Sequence, residues 1–518
     1  MTPSDELFNL IQSLTKSEKR YFKLASTLQS GSKNYIKLFD AILEQDEYDE
    51  EEIKKKFKNS TFIKHLPSEK THLYNLILKS LRAFYADRSA SSQLQEQLKN
   101  IEILYSKALY KECSKFIKRA KKLAYQHEKY YYLLELINWE KIIIEEEYLS
   151  GKFDKDLNEL VKEEEECIAK LRNLAEYQVL YSKINYVFRT GGYIRNDEQE
   201  NIVNEIANYH LIIGKNTAIS IKATTACYYI KAMCAITKND MADAEVNLRK
   251  VITVFDKNPD IIKEVPKRYI KTLNYLFRIN LSKNNFKQCF EIIDKLEAMA
   301  KKPDFKSVDL QVMFFSFISF SKMLVYEAIG KFDKAIEMIE PIMQGVEEFG
   351  NKINKEEKTI FFYNFSTNYL CHGDLKKALH WINEVLNDPN IGLRKDVYTF
   401  ARIVNLLIHF ELGNHDLLEY EIPATERFIK KAKRNYKVET IILKNLKKLS
   451  SIRYRNNQQS VLSEFKKQLT EAFKDPYENA TNKYFDIMMW VESKLQRKSF
   501  TELIQEDMKK EKVEMVDV

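Results

Sequence analysis

The sequence is poor in the residues that bend a chain. Eleven glycines and nine prolines in 518 residues amount to about a third of ordinary usage. Hairpins, sandwiches and phosphate-cradling loops need both residue types at fixed places. No GxxxxGK[ST], GxGxxG, GxSxG or HExxH occurs, and Gly191-Gly192 is the one glycine pair. That excludes a nucleotide-loop enzyme and a fold built of strands. The six cysteines, Cys113, Cys167, Cys227, Cys234, Cys289 and Cys371, form no CxxC, which fits free thiols in a reducing compartment. Met1 to Glu6 shows no basic stretch leading into an apolar one, so no secretory signal is expected. The most apolar segment, Val312 to Leu324, is interrupted by Ser316, Ser319, Ser321 and Lys322. It falls short of the ~20 apolar residues that span a bilayer. We expect a cytoplasmic protein without membrane contact.

Chemistry-bearing clusters are equally sparse. Of the eight histidines, His65 and His72 lie seven apart, and His372 and His380 flank a turn. Cys227 and Cys234 are also seven apart. None of these makes a ligand set, so no metal, no cofactor and no catalytic residue is expected. The carboxylate runs Glu44 to Glu52, Glu145 to Glu147 and Glu163 to Glu166 point around a helix into solvent. A general acid–base pair would need a shared dry pocket instead.

What is abundant is helix-forming. Charged residues make up 31% and hydrophobic ones 44%, a mixture that suits amphipathic helices around a substantial core. Leu7, Leu10, Ile11 and Leu14 fall on one helical face. Thr15 with Glu18, and Asp49 with Glu52, read as capping boxes. Pro67 opens a long helix that runs to about Tyr85. Residues 1–90 therefore read as an N-terminal helical domain.

From residue 91 a spacing emerges. A turn of Gly or Asn, a polar residue and an apolar residue recurs, with a small residue three positions on. The clearest copies are Gly330-Lys331-Phe332-Asp333-Lys334-Ala335 and Gly373-Asp374-Leu375-Lys376-Lys377-Ala378. The apolar marker falls at Tyr110, Phe153, Met241, Phe286, Phe332 and Leu375, then at His415. The steps are one period of 43 to 46 residues, one double period across Asn196-Asp197-Glu198, and a last short one. Pro259, Pro303, Pro389 and Pro476 repeat the spacing independently, each where a second helix should stop. The expected class is all-α. Its architecture is an α-α superhelix, a solenoid of about nine antiparallel helix pairs over 91–478, with capping helices at 479–512 and a frayed tail at 513–518.

At Gly330 to Ile336 and Gly373 to Leu379 the chain resembles the tetratricopeptide repeat at its helix-to-helix turn, and the trailing prolines are similar to that family's closing proline. The period is longer than the family's ~34 residues, so the helices must be longer. The resemblance implies a right-handed superhelix whose concave groove binds a protein or peptide.

One charge cluster stands apart. Arg427, Lys430, Lys431, Lys433, Arg434, Lys437, Lys444, Lys447, Lys448, Arg453 and Arg455 face a single acid, Glu439. Their excess is greater than the whole chain's net charge of +8. Tyr436 and Tyr454 are interleaved. Lys111, Lys115, Lys118, Arg119, Lys121 and Lys122 form a smaller cluster. Such fields attract anionic partners, nucleic acid among them. The leading expectation is a non-enzymatic protein-interaction scaffold. The alternative is a nucleic-acid-associated regulator with a helix-turn-helix-like N-terminal region, Asp49 to Lys58 and Ser68 to Tyr85, carrying Lys70, Lys79 and Arg82.

Overall fold

The computed structural model describes residues 5–27, 34–146, 153–191, 197–388, 395–431, 437–451, 455–475, 478 and 480–510. Every regular element among them is helical, so the all-α class holds. The chain divides into two compact units, Met1–Ile168 and Ala169–Val518.

The first unit opens with α1 (Glu6–Ser13), α2 (Lys16–Thr27), α3 (Asn34–Leu43), α4 (Glu50–Lys56) and α5 (Leu66–Phe84). Ile11, Phe22, Leu38, Phe39, Ile42, Leu73 and Ile77 close their core. Thr15 and Glu18 form the expected reciprocal cap. The Thr15 N–H donates to Glu18 Oε2 at 2.6 Å, and the Glu18 N–H to Thr15 Oγ1 at 3.3 Å. Asp49 caps α4 by accepting from the Glu51 and Glu52 N–H groups at 2.8 and 3.1 Å. The return bond comes from elsewhere: the Asp49 N–H donates to Gln45 Oε1 at 3.3 Å, while Glu52 accepts from Gln45 Nε2 at 2.7 Å. Then follow α6 (Ala90–Tyr105), α7 (Tyr110–Gln126), α8 (Tyr130–Glu146) and α9 (Phe153–Gly191).

Helix α9 departs from the expected spacing. It is one unbroken helix of 39 residues where a period should hold two. No glycine or proline interrupts it before Gly191, and without a breaker a run of good helix formers continues. At 1.5 Å per residue it is about 58 Å long. The division between the two units falls inside it.

The second unit continues with α10 (Asp197–Ala207) and α11 (His210–Ile213), then with helices in pairs. These are α12 (Ile221–Thr237) with α13 (Met241–Lys257), and, after the short α14 (Pro259–Glu264), α15 (Pro266–Ser282) with α16 (Phe286–Lys301). Next, α17 (Val308–Ala328) is followed by α18 (Phe332–Glu337) and α19 (Ile339–Phe349). Then come α20 (Lys355–His372) with α21 (Leu375–Leu386), α22 (Lys395–Glu411) with α23 (His415–Lys431), and α24 (Lys437–Ser451) with α25 (Arg455–Ala472). The first helices of successive pairs also pack on one another, α15 on α17, α17 on α20, α20 on α22 and α22 on α24. The last described helices are α26 (Ile487–Gln496) and α27 (Phe500–Lys510).

One turn geometry recurs. Ala108, Asn239, Asn284, Gly330, Gly373 and Gly413 each stand two residues before a second helix. Their φ angles are 56°, 59°, 54°, 71°, 97° and 76°. A left-handed residue ends a helix by turning its last carbonyls back onto the chain, and Gly or Asn takes that conformation at least cost. The next N–H bonds five residues back, as Asp240 to the Ala235 carbonyl at 2.9 Å and Lys331 to that of Tyr326 at 2.8 Å. Asp240, Asn285 and Asp374 then cap the second helix through its third N–H.

The small residue after each turn is the tightest point of its pair. Cys113, Ala244, Cys289, Ala335 and Ala378 are all fully buried. Three of them touch the first helix twelve residues earlier. The Cys113 thiol donates to the Ile101 carbonyl at 3.6 Å, the Cys289 thiol to that of Phe277 at 3.8 Å, and Ser366 Oγ to that of Ala378 at 2.8 Å. Pro259 opens α14 and Pro303 opens a single 3-10 turn. Pro389 and Pro476 lie outside the described residues.

Helix α17 corrects the reading of the apolar segment. The serines do not interrupt it: it is 21 residues long and, by length and composition alone, apolar enough to cross a membrane. Ser316, Ser319 and Ser321 are buried in it beside Leu310, Val312, Phe314, Met323 and Val325. It packs on α15, α16 and α18, and a core position accounts for that composition.

Candidate interaction surfaces

The basic segment lies on α23 and α24. Arg427, Lys430, Lys431, Lys437, Lys444, Lys447 and Lys448 are all exposed. Lys433, Arg434 and Arg453 lie outside the described residues, and Arg455 opens α25. Among the described residues, Lys430 alone of this group forms an ion pair, with Glu426 at 2.8 Å. That ammonium, with Lys447 of α24 contributing, holds the Glu426 carboxyl below its usual range. The end of α23 and the exposed side of α24 are therefore neighbours. Glu439, the acid that sequence places among them, is fully buried. Glu478, forty residues on, was missed by sequence reasoning. Its carboxylate accepts from the Lys437 and Val438 N–H groups at 2.9 and 3.0 Å, capping the start of α24 from a distance.

The smaller basic cluster is partly neutralised. Lys111, Lys115, Lys118, Arg119 and Lys122 are exposed on α7. Lys121 is half-buried between Glu140 and Glu163, the latter at 2.6 Å. Lys141 pairs with Glu164 at 2.7 Å. The glutamate run at 163–166 thus binds lysines of neighbouring helices with two of its members. In the N-terminal helices, Lys70 is held by Glu50 at 2.7 Å with both side chains largely buried, while Lys79 and Arg82 are exposed.

Among the described residues, no three His, Cys, Asp or Glu side chains converge as metal ligands. His372 Nε2 lies 2.8 Å from Asp333 Oδ1 on an exposed edge. Cys234 and Cys289 are pushed up to about 12 by burial, which makes them poor nucleophiles. A cleft between α2 and α5, lined by Tyr21, Phe22, Leu76 and Ser80, has one charged side chain, Lys79.

The second surface was not anticipated. Helices α26 and α27 fold back across the preceding pairs. Trp490 is fully buried, edge-on to Phe410 of α22 at 5.7 Å. Its indole N–H donates to Glu411 Oε1 at 2.8 Å, and Lys494, one turn later, donates to Glu411 Oε2 at 2.6 Å. Tyr484 stacks on Phe400 at 4.5 Å. Its hydroxyl donates to Asp396 at 2.6 Å, while Tyr363 of α20 donates to its carbonyl at 3.0 Å. At the far end, Thr501 Oγ1 donates to the Gly330 carbonyl at 3.2 Å. A Cβ on Gly330 would meet Ile504 at 3.3 Å. The segment therefore touches α18, α20 and α22 as well as α25, on which α26 packs.

A half-buried acid lies close to it. Glu327, at the end of α17, has Oε2 out of solvent with no hydrogen-bond partner, and so has Asn368 Oδ1 on α20. Burial raises the Glu327 carboxyl to about 7, with the Asn368 amide opposing and Asp486 adding to the rise. Asp486, which stays exposed, caps α26 by accepting from the Met489 N–H at 2.9 Å. No known protein-family model matches the chain, and no curated protein matches it.

Proposed function

We propose that the chain is a non-enzymatic, cytoplasmic scaffold, a solenoid of tetratricopeptide-like helix pairs that holds a segment of another protein. Three features support the solenoid: the left-handed residue at one fixed offset, the fully buried small residue after it, and first helices that pack on the next first helix. Stacked pairs of this kind bury one face and offer another along its length. The observation that carries the binding function is the docking of α26 and α27. The first helices already grip an amphipathic helical segment through aromatic contacts and a shared carboxylate, the helix-in-groove mode of recognition.

A second reading has its own support. Among the described residues, the exposed cations on α23 and α24 form one ion pair, Lys430 with Glu426, which favours a polyanion contact, nucleic acid included. Lys70 argues against the helix-turn-helix version, because Glu50 already holds it. Affinity capture with the full chain, with and without nuclease, separates the readings. A discrete protein recovered in both arms supports the scaffold. Recovery that nuclease abolishes supports the polyanion contact and overturns the scaffold.

A further inference from the structure

We propose that the surface under α26 and α27 is a docking site for a partner's amphipathic helix bearing an aromatic residue and, one turn later, a lysine, and that α26–α27 are its displaceable resident. The inference rests on the scaffold reading and names the partner's chemistry. Two observations carry it.

The first is charge. The first helices present Glu327, Asp396 and Glu411 to this segment. Glu411 takes Trp490 and Lys494 together, residues four apart that share one helix face. An acidic, aromatic surface selects a helix whose donors match that spacing.

The second is an imperfection in the resident. It leaves Glu327 Oε2 and Asn368 Oδ1 without hydrogen-bond partners. Buried acceptors without donors weaken an interface. A helix that brings a donor to Glu327 and Asn368 would satisfy what the resident leaves open. Such a partner displaces α26–α27 without any change in the array.

The test uses the full chain and a fluorescein-labelled synthetic peptide with the sequence of residues 484–510. In the chain, Lys494→Glu turns the resident against Glu411 and opens the surface, and Lys494→Gln does so more gently. Helix content by circular dichroism confirms that each variant is folded. The peptide should bind either variant at least ten times more tightly than it binds the unaltered chain. A Glu411→Lys chain should reject the peptide and accept one carrying Lys494→Glu. Equal binding by all folded chains, or none by either opened variant, overturns the inference. Protein capture is read separately. A chain that binds the peptide but recovers no protein overturns the scaffold reading and leaves the docking surface standing.

Discussion

Glu327 offers the sharpest quantitative test of the interior, through Glu327→Gln. The folded chain holds this carboxyl at about 7 against an ordinary 4.5. A raised carboxyl binds its proton more tightly folded than unfolded. Its contribution is therefore fully present below pH 4.5 and is lost as pH rises through 7. The difference of about 2.5 units corresponds to roughly 3 kcal/mol at 1.36 kcal/mol per unit. Glutamine has the same shape and no charge, and its amide supplies the donor that Asn368 Oδ1 lacks. The variant and the parent should match near pH 4.5, and the variant should gain progressively up to pH 8, by at most about 3 kcal/mol. Hydrogen exchange of the α20 and α26 amides between pH 5 and 8, corrected for intrinsic rates, reads this locally. Parallel pH dependences in the two proteins would refute the buried-acid argument.

Three further outcomes follow from the same structure. Ala378→Leu forces a large side chain against Ser366, which bonds the Ala378 carbonyl at 2.8 Å. Urea denaturation should show a loss of about 1–3 kcal/mol. Glu478→Ala removes two charge-assisted bonds from the start of α24 and should cost about 1–3 kcal/mol by the same assay. A result within 0.5 kcal/mol would show that water replaces the cap. Reversing Lys430, Lys431, Lys444 and Lys447 to Glu should leave melting near the parent value, because all four are exposed. If the surface contacts a polyanion, the salt dependence of binding should become shallower. An unchanged slope would remove these cations from the contact.

Local signals carried much of the fold. The Gly or Asn two residues before the apolar marker located five left-handed positions, Asn239, Asn284, Gly330, Gly373 and Gly413, because only a few residue types adopt that backbone cheaply; Ala108 carries no such signal. The small residue at the third position identified the tight crossings, since Cys113, Ala244, Cys289, Ala335 and Ala378 have no room for more. The Thr15–Glu18 cap was legible because both partners sit within one turn. Features that depend on distant partners were not. Glu478 reads as one more surface acid until α24 is placed beside it. Trp490 and Lys494 read as part of a terminal capping helix, and nothing in their own segment points to Glu411. Helix α9 was missed for another reason: a repeating spacing led us to expect a turn where no breaker residue stands. The basic segment was legible as charge. That Glu439 is buried was not.

The most direct test of the scaffold reading is hydrogen exchange on the full chain with its captured partner bound. The account predicts new protection along the first helices α17, α20 and α22, with faster exchange in the displaced α26 and α27. Protection confined to the exposed basic side of α23 and α24, or none in any helix, would contradict it.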